Sequence, residues 1–398
     1  MAAKPVYAVG LDAGSHQTRL VICLLENGRL RFLGAGAADS QGWLKGRVAD
    51  QKAVSAGVLA ALREAEACAQ VSVESATVGM GGPTLRGANG RGVVELGYLR
   101  EIEQRDVNRV IDRASRVQLL EDRMVLQLFP QDFVVDDHPG HRDPRRMLAS
   151  RLEINVHIVT ASIQEHNSIL GAVNEAHLSV EETVFEALAS CYAAVLPEHR
   201  REGIAVVDIG AESSELVIYY GDSMHLASTV RICGDHFTRD LAQGLCLSFE
   251  EAEVLKLEFG CANADCSENV FVELPTPEDR QSREVQRRIL NRIIEARAEE
   301  LFKFVRSEFA RVGMDRALVG GVFLTGAGAK LPGFCDAAEE ILQCQTRFGM
   351  TEGIEDWPVE LNDPEWCTVA GLAMYSAKLK EQLQHQREST SWLGRMMK

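Results

Sequence analysis

The sequence predicts an α/β protein of two lobes, with a further subdomain inserted into the first lobe. An apolar strand, a tight turn and a second apolar strand occupy residues 9–22, and residues 206–220 repeat that plan, which indicates an internal duplication. The chain of 398 residues is long enough for each lobe to have its own core. Between residues 86 and 150 charged and turn residues become more frequent, which predicts the inserted subdomain.

Composition and charge restrict the class of protein. Apolar residues make up 46% and charged residues 25% of the chain, the balance of a soluble globular protein. A net charge of −16 argues against a broad nucleic-acid surface, which needs a basic face. No apolar run approaches the roughly 18 residues of a membrane-spanning helix, and the N-terminus lacks the apolar segment of a signal peptide. The scattered cysteines agree with a reducing compartment, so we expect a cytoplasmic protein.

In both hairpins the first strand ends in an aspartate, which a glycine and small hydroxyl residues follow. A glycine permits backbone N–H groups to line a concave turn, and such a turn binds anionic oxygens. We expect these donors at Gly14, Ser15, Gly210, Ser213 and Ser214. The acids, Asp12 and Asp208, are placed to hold Mg²⁺ through its water ligands. One such turn alone is more often an ordinary hairpin, but two of them favour a clamp around a nucleoside triphosphate.

Periodicity predicts the remaining elements of the first lobe. Short apolar runs predict strands at residues 6–11, 18–25, 30–37 and 75–79, and helical spacing predicts a helix at 52–68. In the insert, a helix is predicted at 101–117. Alternating apolar residues predict a strand at 151–160, assigned to the lobe core, in which we interpret His157 as a structural residue. Helices at 163–175 and ending at residue 194 follow.

The second lobe shows a similar order around its hairpin. A strand is predicted at 224–232, helices at 238–244 and 249–259, and a polar strand and loop at 261–280. Residues 281–311 form the longest helical pattern. Its predicted buried stripe contains Val285, Ile289, Ile293, Ala296, Leu301, Phe304 and Val305. A strand from residue 321 enters a glycine-rich turn before a helix at 334–342, and a last globular helix covers 368–378.

Several segments resemble a known family. Residues 143–157 read Asp-Pro-Arg-Arg-Met-Leu-Ala-Ser-Arg-Leu-Glu-Ile-Asn-Val-His, which is similar to the Asn-Pro-x-Gly-Met-x-Gly-x-Arg-Leu-Glu-Val segment of FtsA, the actin-like bacterial cell-division family. Residues 188–193, 234–242, 252–256, 295–300 and 322–326 are also similar to that family. The order of the motifs resembles the wider actin, Hsp70 and hexokinase superfamily. The resemblance runs from about residue 6 to residue 377.

The resemblance implies a two-lobed actin-like ATPase fold with duplicated β-β-β-α-β-α lobes and an FtsA-type inserted subdomain in the first lobe. The core of the first lobe is expected at 1–85 and 151–195, interrupted by the insert at 86–150. The core of the second lobe is expected at 196–240 and 315–378, with a smaller subdomain at 241–314 between them. A linker at 379–390 and an amphipathic membrane-targeting helix at 391–398 complete this division.

The resemblance also assigns roles to residues, with ATP and Mg²⁺ as the expected cofactors. Beyond the two phosphate turns, it implies nucleotide contacts at Gly234, Glu253, Lys256, Gly326 and Gly328. Glu253 and Lys256, one helical turn apart, would hold ribose and adenine, with a solvated surface pair as the alternative. Glu186 stands where several relatives keep a catalytic, water-orienting side chain, although an acid at a helix start is an equal alternative.

The second phosphate turn departs from the family pattern. The family reads Asp-x-Gly-Gly-Gly-Thr-Thr-Asp where this chain, at residues 208–215, reads Asp-Ile-Gly-Ala-Glu-Ser-Ser-Glu. Ala211 and Glu212 replace glycines there, and Ala327 replaces one in the adenosine turn. We expect these changes to restrict the approach of the backbone and to bring the carboxylate of Glu212 near the γ-phosphate. The hypothesis is therefore a nucleotide-binding switch with slow or absent ATP hydrolysis.

The last residues have the composition of a peripheral membrane anchor. From residue 378 to the C-terminus there are five Lys or Arg and two Glu, a local charge of +3 on an acidic protein. On a helix, the apolar residues fall on one arc and the basic ones opposite, which favours an anionic lipid surface. The alternative is a frayed terminus. The expected anchor residues are Trp392, Leu393, Arg395, Met396, Met397 and Lys398.

The resemblance implies a polymerising adaptor that ties the tubulin-like protein FtsZ to the cytoplasmic face of the inner membrane at the division site. The pocket for the FtsZ C-terminal peptide is expected in the smaller subdomain, on a basic surface that includes Arg283, Arg288 and Arg297. A solvated helix face is the alternative for these arginines. The rival functions are a PilM-like adaptor of pilus assembly and an ATP-dependent kinase or chaperone ATPase of the same superfamily.

Overall fold

A computed structural model describes residues 5–116, 119–221, 223–265, 270–274, 283–314 and 317–396, with side chains described as far as residue 384. The first half of the chain contains the elements β1 (Val6–Ala13), β2 (Gln17–Glu26), β3 (Arg29–Asp39), β4 (Trp43–Leu44), β5 (Arg47–Val48), α1 (Gln51–Ala69), β6 (Ser75–Met80), β7 (Arg86–Glu101), α2 (Gln104–Ser115), β8 (Arg123–Val135), β9 (His138–His141), β10 (Leu148–Ser162), α3 (Ile163–Glu175), β11 (Ser179–Phe185), α4 (Glu186–Ala194) and α5 (Pro197–Arg200).

The second half continues with β12 (Ile204–Ile209), β13 (Ser214–Tyr220), β14 (Ser223–Val230), α6 (Gly234–Leu245), α7 (Phe249–Phe259), β15 (Phe271–Leu274), β16 (Arg283–Gln286), α8 (Arg287–Arg311), β17 (Gly321–Thr325), α9 (Phe334–Leu342), β18 (Thr346–Phe348) and α10 (Cys367–Met396). The elements β1, β2, β3, α1, β6, α3, β14, α7 and α9 lie within two residues of the bounds that periodicity predicted. Within the described residues, no helix is long and apolar enough to cross a membrane.

Two five-stranded sheets of the same design form the centres of the two lobes. The first has the order β11-β6-β1-β2-β3 and the second the order β18-β17-β12-β13-β14. In each, three consecutive strands form an antiparallel meander, and the first of them also pairs in parallel with a later strand. Because strand for strand the two sheets are equivalent, the predicted duplication and the two-lobed α/β fold are confirmed.

Helices α4 and α10 join the two lobes through small side chains. One buried core contains Ala8 of the first sheet, Val206 of the second, and residues of both helices. The helices approach so closely at Gly371 that a Cβ atom there would overlap the carbonyl oxygen of Ala189. A Cβ atom at Gly10 would overlap α10 in the same way. The glycines therefore set the distance between the helices and fix the lobes relative to each other.

The insert is a sheet of order β7-β10-β8-β9 that α2 covers. The strand predicted at 151–160 is the centre of this sheet, so its assignment to the core of the first lobe was wrong, and the insert extends to Ser162. The alternation of Leu152, Ile154 and Val156 identified a strand, but it carried no information on which strands lie beside it. The long strands β7 and β8 were not predicted either.

The insert also contacts the second lobe, through His157. Its Nδ1 atom lies 2.6 Å from Oδ1 of Asn89, and its Nε2 accepts a hydrogen bond of 2.9 Å from the backbone N–H of Ala227 in β14. Burial lowers the pKa of His157 to about 4. Because the neutral ring serves as the acceptor, the histidine has a structural position between the insert and the second sheet, in agreement with its interpretation from the sequence.

Two predictions in the second half of the chain were wrong in detail. Residues 283–286 are the strand β16, so the helix predicted from residue 281 begins at Arg287. Ile289 and Phe304 of the predicted stripe are 47% and 39% exposed. The buried face instead contains Leu290, Asn291, Ile294, Ala298, Leu301, Phe302, Val305 and Phe309. The error arose because α8 is apolar on more than one side, and the neighbouring elements decide which side is covered.

The segment predicted as a linker, residues 379–390, is helical and belongs to α10, which runs without interruption to Met396. Its polar residues are mostly Lys, Gln, Glu and Arg, and these are good helix formers. Polarity thus indicated exposure to solvent but not an irregular backbone.

Candidate functional site

A cleft of about 550 Å³ lies between the two sheets, a volume in the range of small-molecule sites. The turns β1-β2 and β12-β13 line it from opposite lobes. The structure brings together almost all residues that the sequence assigned to a nucleotide. Those that line the cleft are Asp12, Gly14, Ser15, Glu186, Asp208, Gly210, Ser213, Gly234, Glu253, Lys256, Gly326 and Gly328. Ser214 is the exception, because it is fully buried behind the second turn and does not line the cleft.

The glycine of each hairpin turn, Gly14 or Gly210, allows the backbone to turn tightly. A Cβ atom at Gly14 would lie 2.7 Å from the carbonyl oxygen of Gln17. In the second turn, the N–H of Gly210 donates a hydrogen bond of 2.9 Å to the carbonyl of Ser213. The same turn is held against α6, because the N–H of Gly234 donates to the carbonyl of Gly210 at 2.9 Å. Both turns therefore have the compact geometry that lets a ligand approach the backbone.

Four carboxyl groups meet at the base of the cleft: those of Asp12, Asp208 and Glu215, which are buried, and that of Glu186, which is half-buried. Burial raises the pKa of Asp12 and of Glu215 to about 7 in each case, and it also raises the pKa values of Glu186 and Asp208. Repulsion between the acids adds to this effect, and Arg19 opposes it at Asp12. Such a group of acids favours a cation at this position.

The donor set fits Mg²⁺ held through water. Mg²⁺ keeps several of its waters and is bound by one or two carboxylates together with substrate phosphates. The described residues contain no group of three or more side chains arranged to ligate a metal directly. Asp12 and Asp208, one from each lobe, would therefore hold the hydrated ion, with the remaining ligands coming from water and phosphate.

Asp208 is fixed by two hydrogen bonds and by one close backbone contact. The hydroxyl of Ser190 in α4 donates to its Oδ2, and the hydroxyl of Thr368 in α10 donates to the same atom at 2.9 Å. On the other side, a Cβ atom at Gly326 would lie 2.5 Å from Oδ1. Gly326 also has a φ of 82°, a conformation that favours glycine. The two lobe-joining helices thus position the carboxylate.

Glu186, the first residue of α4, packs against the glycines that follow β6. A Cβ atom at Gly81 would overlap its carboxylate. Beside it, the carboxylate of Glu215 accepts a hydrogen bond of 2.8 Å from the N–H of Gly82, across the two lobes. Glu215 was not selected from the sequence, although it stands at the last acid of the family's Asp-x-Gly-Gly-Gly-Thr-Thr-Asp pattern.

At the other end of the cleft, Glu253 and Lys256 lie on one face of α7, as predicted. Their charged groups are 2.7 Å apart, and the Lys256 ammonium also donates to the hydroxyl of Thr238 at 2.8 Å. Phe249 and Leu257 line the cleft beside them and are partly exposed. This combination of a polar pair and apolar side chains suits a nucleoside better than a simple anion.

Arg19 is a lining residue that the sequence did not single out. Its guanidinium donates to Gln17 at 2.8 Å and to Glu365 at 2.8 Å, and it lies 5.5 Å from the centre of the Trp366 ring. It faces Asp12 across the β1-β2 hairpin. The available signal was a charged residue inside an otherwise apolar strand, which on a buried strand requires a partner.

The residues that replace family glycines do not strain the second phosphate turn or the adenosine turn. Ala211, Glu212 and Ala327 all have negative φ, so a side chain is tolerated at each. The carboxylate of Glu212 does not line the cleft, contrary to the expectation that it lies near the γ-phosphate. It instead accepts hydrogen bonds from the N–H groups of Lys45, at 3.1 Å, and Gly46, at 2.9 Å, in the first lobe.

The arginines proposed for a partner peptide do not form a free basic surface. Arg297 makes a two-pronged ion pair with Asp240, at 2.6 and 2.9 Å. Arg288 pairs with Asp265 at 2.5 Å, and Arg283 donates to the carbonyl of Leu245 at 3.1 Å. Arg297 and Arg288 therefore have carboxylate partners within the chain and Arg283 has a backbone carbonyl, while their role in binding a partner peptide stays a prediction.

The predicted membrane residues lie outside the part of the chain whose side chains are described. The backbone of residues 392–396 belongs to α10, and residues 397 and 398 are outside the described residues. The residues concerned are Trp392, Leu393, Arg395, Met396, Met397 and Lys398.

The duplicated sheets, the facing turns and the four acids between them define the class: a two-lobed protein of the actin-like ATPase fold. Solved structures agree with this class. The PilM-PilN type IV pilus biogenesis complex matches with a TM-score of 0.70 and 17% identity, covering 94% of this chain and 99% of that one. MreB5 of Spiroplasma citri bound to ADP matches with a TM-score of 0.58 and 11% identity, covering 95% and 98%.

Within this class, the chain belongs to the FtsA family of cell division proteins. The family model for cell division protein FtsA matches residues 205–371, and that for the SHS2 domain inserted in FtsA matches residues 82–160. The cell division protein FtsA of Pseudomonas aeruginosa is 32% identical over 92% of this chain and 88% of its own length. FtsA of Escherichia coli K12 is 27% identical over 98% and 95%. The SHS2 match contains most of β10, in agreement with the sheet pairing.

Proposed function

We propose that the chain binds Mg·ATP between its lobes and acts as a polymerising FtsA-type adaptor that tethers FtsZ filaments to the cytoplasmic face of the inner membrane. The observation that carries the nucleotide proposal is a single cleft that combines both hairpin turns with the Glu253–Lys256 pair. The subdomain division proposed for this function is that expected from the sequence, with the insert extended to residue 162.

In this proposal each part of the cleft has a separate task. The turns at Gly14 and Gly210 hold phosphate oxygens by their backbone N–H groups, and Asp12 and Asp208 hold the hydrated ion. Lys256 binds the nucleoside end. Bound Mg·ATP would contact both lobes and stabilise one position of the lobes relative to each other. The nucleotide would thereby determine the surface that the protein presents to neighbouring subunits of a polymer.

We propose that hydrolysis is slow or absent. A residue that orients or activates water needs an ionised carboxylate or an amide acceptor. Without a bound cation, burial, together with repulsion from Asp12, raises the pKa of Glu186 well above its ordinary value. Its contact with Gly81 also restricts the movement of the side chain. A phosphate-release assay that gives many turnovers per minute would reject this part of the proposal.

The nucleotide site is tested by replacing Lys256 with alanine. Loss of its charge and of its contacts with Glu253 and Thr238 is expected to weaken Mg·ATP binding by about tenfold or more, since hydrogen bonds to charged groups contribute about 1.5–3 kcal/mol. Fluorescence titration with a labelled ATP measures the affinity. Lys303→Ala is the matched control, because Lys303 forms a similar ion pair with Glu299, at 2.6 Å, on a helix outside the cleft. Equal affinity of both variants would contradict the assignment.

The tether is tested by deleting residues 391–398. The truncated protein is expected to lose co-sedimentation with anionic vesicles, because the basic and aromatic end is removed while the sheets are left intact. Vesicles of neutral lipid are the control for the charge, and a pull-down with an FtsZ C-terminal peptide shows that the truncated protein still binds its partner. Unchanged sedimentation would remove the anchor from the proposal. A preference for a peptide from a pilus component would favour the PilM-like alternative.

A further inference from the structure

A second cavity, of about 670 Å³, lies behind the β12-β13 turn. Both lobes line it: the first contributes Lys45 and Arg86, and the second contributes Ser214, Arg231 and Arg239. Ser213 lines this cavity and the nucleotide cleft, so the two are neighbours that one turn separates. The cavity is in the size range of small-molecule sites.

The charge of this cavity is opposite to that of the protein as a whole. Within the described residues, Lys45 and Arg231 have no carboxylate partner, and the guanidinium of Arg86 donates only to the carbonyls of Pro83, at 2.8 Å, and Leu85, at 2.7 Å. The pKa of Arg123 is lowered first by burial and then by the nearby positive charge of Arg86. On a chain with a net charge of −16, three such cations around one cavity concentrate positive potential there.

The other charged residues of the lining already have partners. Arg239 pairs with Asp235 at 3.2 Å. Glu308 pairs with Arg311 at 2.8 Å. The carboxylate of Glu212 accepts from the two backbone N–H groups of the β4-β5 turn. The acids are thus satisfied, and the cations without carboxylate partners determine which ligand is favoured.

Hydroxyl groups supply hydrogen-bond donors in the same place. Ser214 is fully buried, and its hydroxyl has no hydrogen-bond partner. A buried polar atom without a partner is uncommon in folded proteins and indicates a missing water or ligand. Ser213, Ser228 and Thr229 line the cavity as well. Hydroxyls and cations together are the donors that bind phosphate oxygens.

We propose that this cavity is a binding site for a small phosphate-bearing anion, separate from the nucleotide cleft. Arginine and lysine recognise phosphate by charge and, for arginine, by two parallel N–H donors. A cavity of this volume, lined by strands, helices and turns of both lobes, favours a small molecule over a peptide, which needs an extended groove. Because the ligand contacts both lobes beside the Glu212 bridge, it stabilises the arrangement in which the lobes are closed.

The proposal is tested by calorimetric titration of the full chain with inorganic pyrophosphate and with glycerol 3-phosphate, at one fixed ionic strength. The two probes distinguish an inorganic polyphosphate from a phosphate ester as the source of the shared chemistry. With the nucleotide cleft filled by saturating Mg·ADP, binding of one equivalent is expected. Lys45→Gln and Arg231→Gln are each expected to weaken it by about tenfold, the effect of one charge-assisted hydrogen bond. Arg86 is left unchanged, because it holds backbone carbonyls.

Arg292→Gln is the matched control, because Arg292 is an exposed arginine that does not line the cavity. It is expected to change the affinity less than twofold, and thermal melting confirms that every variant is folded. The titrations are repeated with saturating Mg·ADP. If ADP abolishes binding of the phosphate probe, the probe binds in the nucleotide cleft and the proposal is overturned. If ADP itself does not bind, the probe titrations stay valid and only the proposal of a nucleotide site is contradicted.

Three further outcomes would also overturn the inference. They are the absence of binding for both probes, an equal loss of affinity in Arg292→Gln, and tighter binding of a polyglutamate peptide than of either phosphate. The last result would assign the cavity to an acidic protein segment.

Discussion

Replacing Gly371 by alanine is expected to lower the free energy of unfolding by about 3 kcal/mol or more, because the added methyl group has no space. A Cβ atom at this position would overlap the carbonyl oxygen of Ala189 in α4, and the atom it meets is rigid backbone rather than the end of a flexible side chain. Since α4 and α10 join the lobes, the helices must separate. Urea denaturation followed by circular dichroism measures the change.

The matched control is Gly57→Ala, also a glycine within a helix. A Cβ atom at Gly57 would lie 3.4 Å from the hydroxyl oxygen of Thr18, an ordinary contact. There the higher helix propensity of alanine is expected to leave stability unchanged or to raise it by up to about 1 kcal/mol. If both variants unfold at the same urea concentration as the unmodified protein, the close approach of the two lobe-joining helices is refuted.

Replacing Asp12 by asparagine is expected to have opposite effects on stability and on ligand binding. Burial raises the pKa of Asp12 from its ordinary value of 3.8 to about 7, so ionisation is less favourable in the folded state. The resulting loss of stability is absent below pH 3.8, grows as the pH rises, and is complete above about pH 7. At pH 8, without Mg²⁺, the asparagine variant is therefore expected to be more stable by up to about 4 kcal/mol. Its affinity for Mg·ATP is expected to fall by more than about tenfold.

Thermal and urea denaturation at pH 8 and pH 5 test the first effect, because the difference between the two proteins should shrink as the pH falls. Asp39→Asn is the control, since Asp39 is an exposed aspartate at the end of β3 and should change neither property. If Asp12→Asn is less stable than the unmodified protein at pH 8, the ionised Asp12 is stabilised by contacts within the protein and does not need a bound cation.

The residues that carried the sequence prediction are those whose role depends on near neighbours in the chain. The acid and the glycine of each hairpin, together with Ser15 and Ser213, line the cleft because a tight turn between two apolar strands depends on a few consecutive residues. Glu253 and Lys256 were placed on one face because the helix period fixes their spacing. That the two hairpins meet at one cleft followed from the duplication, because it requires the hairpins to occupy equivalent positions in the two lobes.

The residues that the sequence missed or misplaced act across long separations. Glu215 reaches Gly82 in the other lobe, and Glu212 turns away from the cleft to the β4-β5 turn. Arg297 of α8 pairs with Asp240 of α6, and the sequence of α8 alone does not indicate this partner. In each case the side chain has several possible partners, and the one it meets depends on how distant elements pack.

By itself the sequence determined the two-lobed α/β fold, the two equivalent hairpin turns and most of the cleft lining, because periodicity, glycine spacing and internal repetition are properties of short segments. Only the tertiary structure decided that β10 belongs to the insert, that four acids share one buried site, and that a basic cavity lies behind the second turn. Strand neighbours and the balance of buried charge arise from contacts between residues tens to hundreds of positions apart, and local patterns do not encode them.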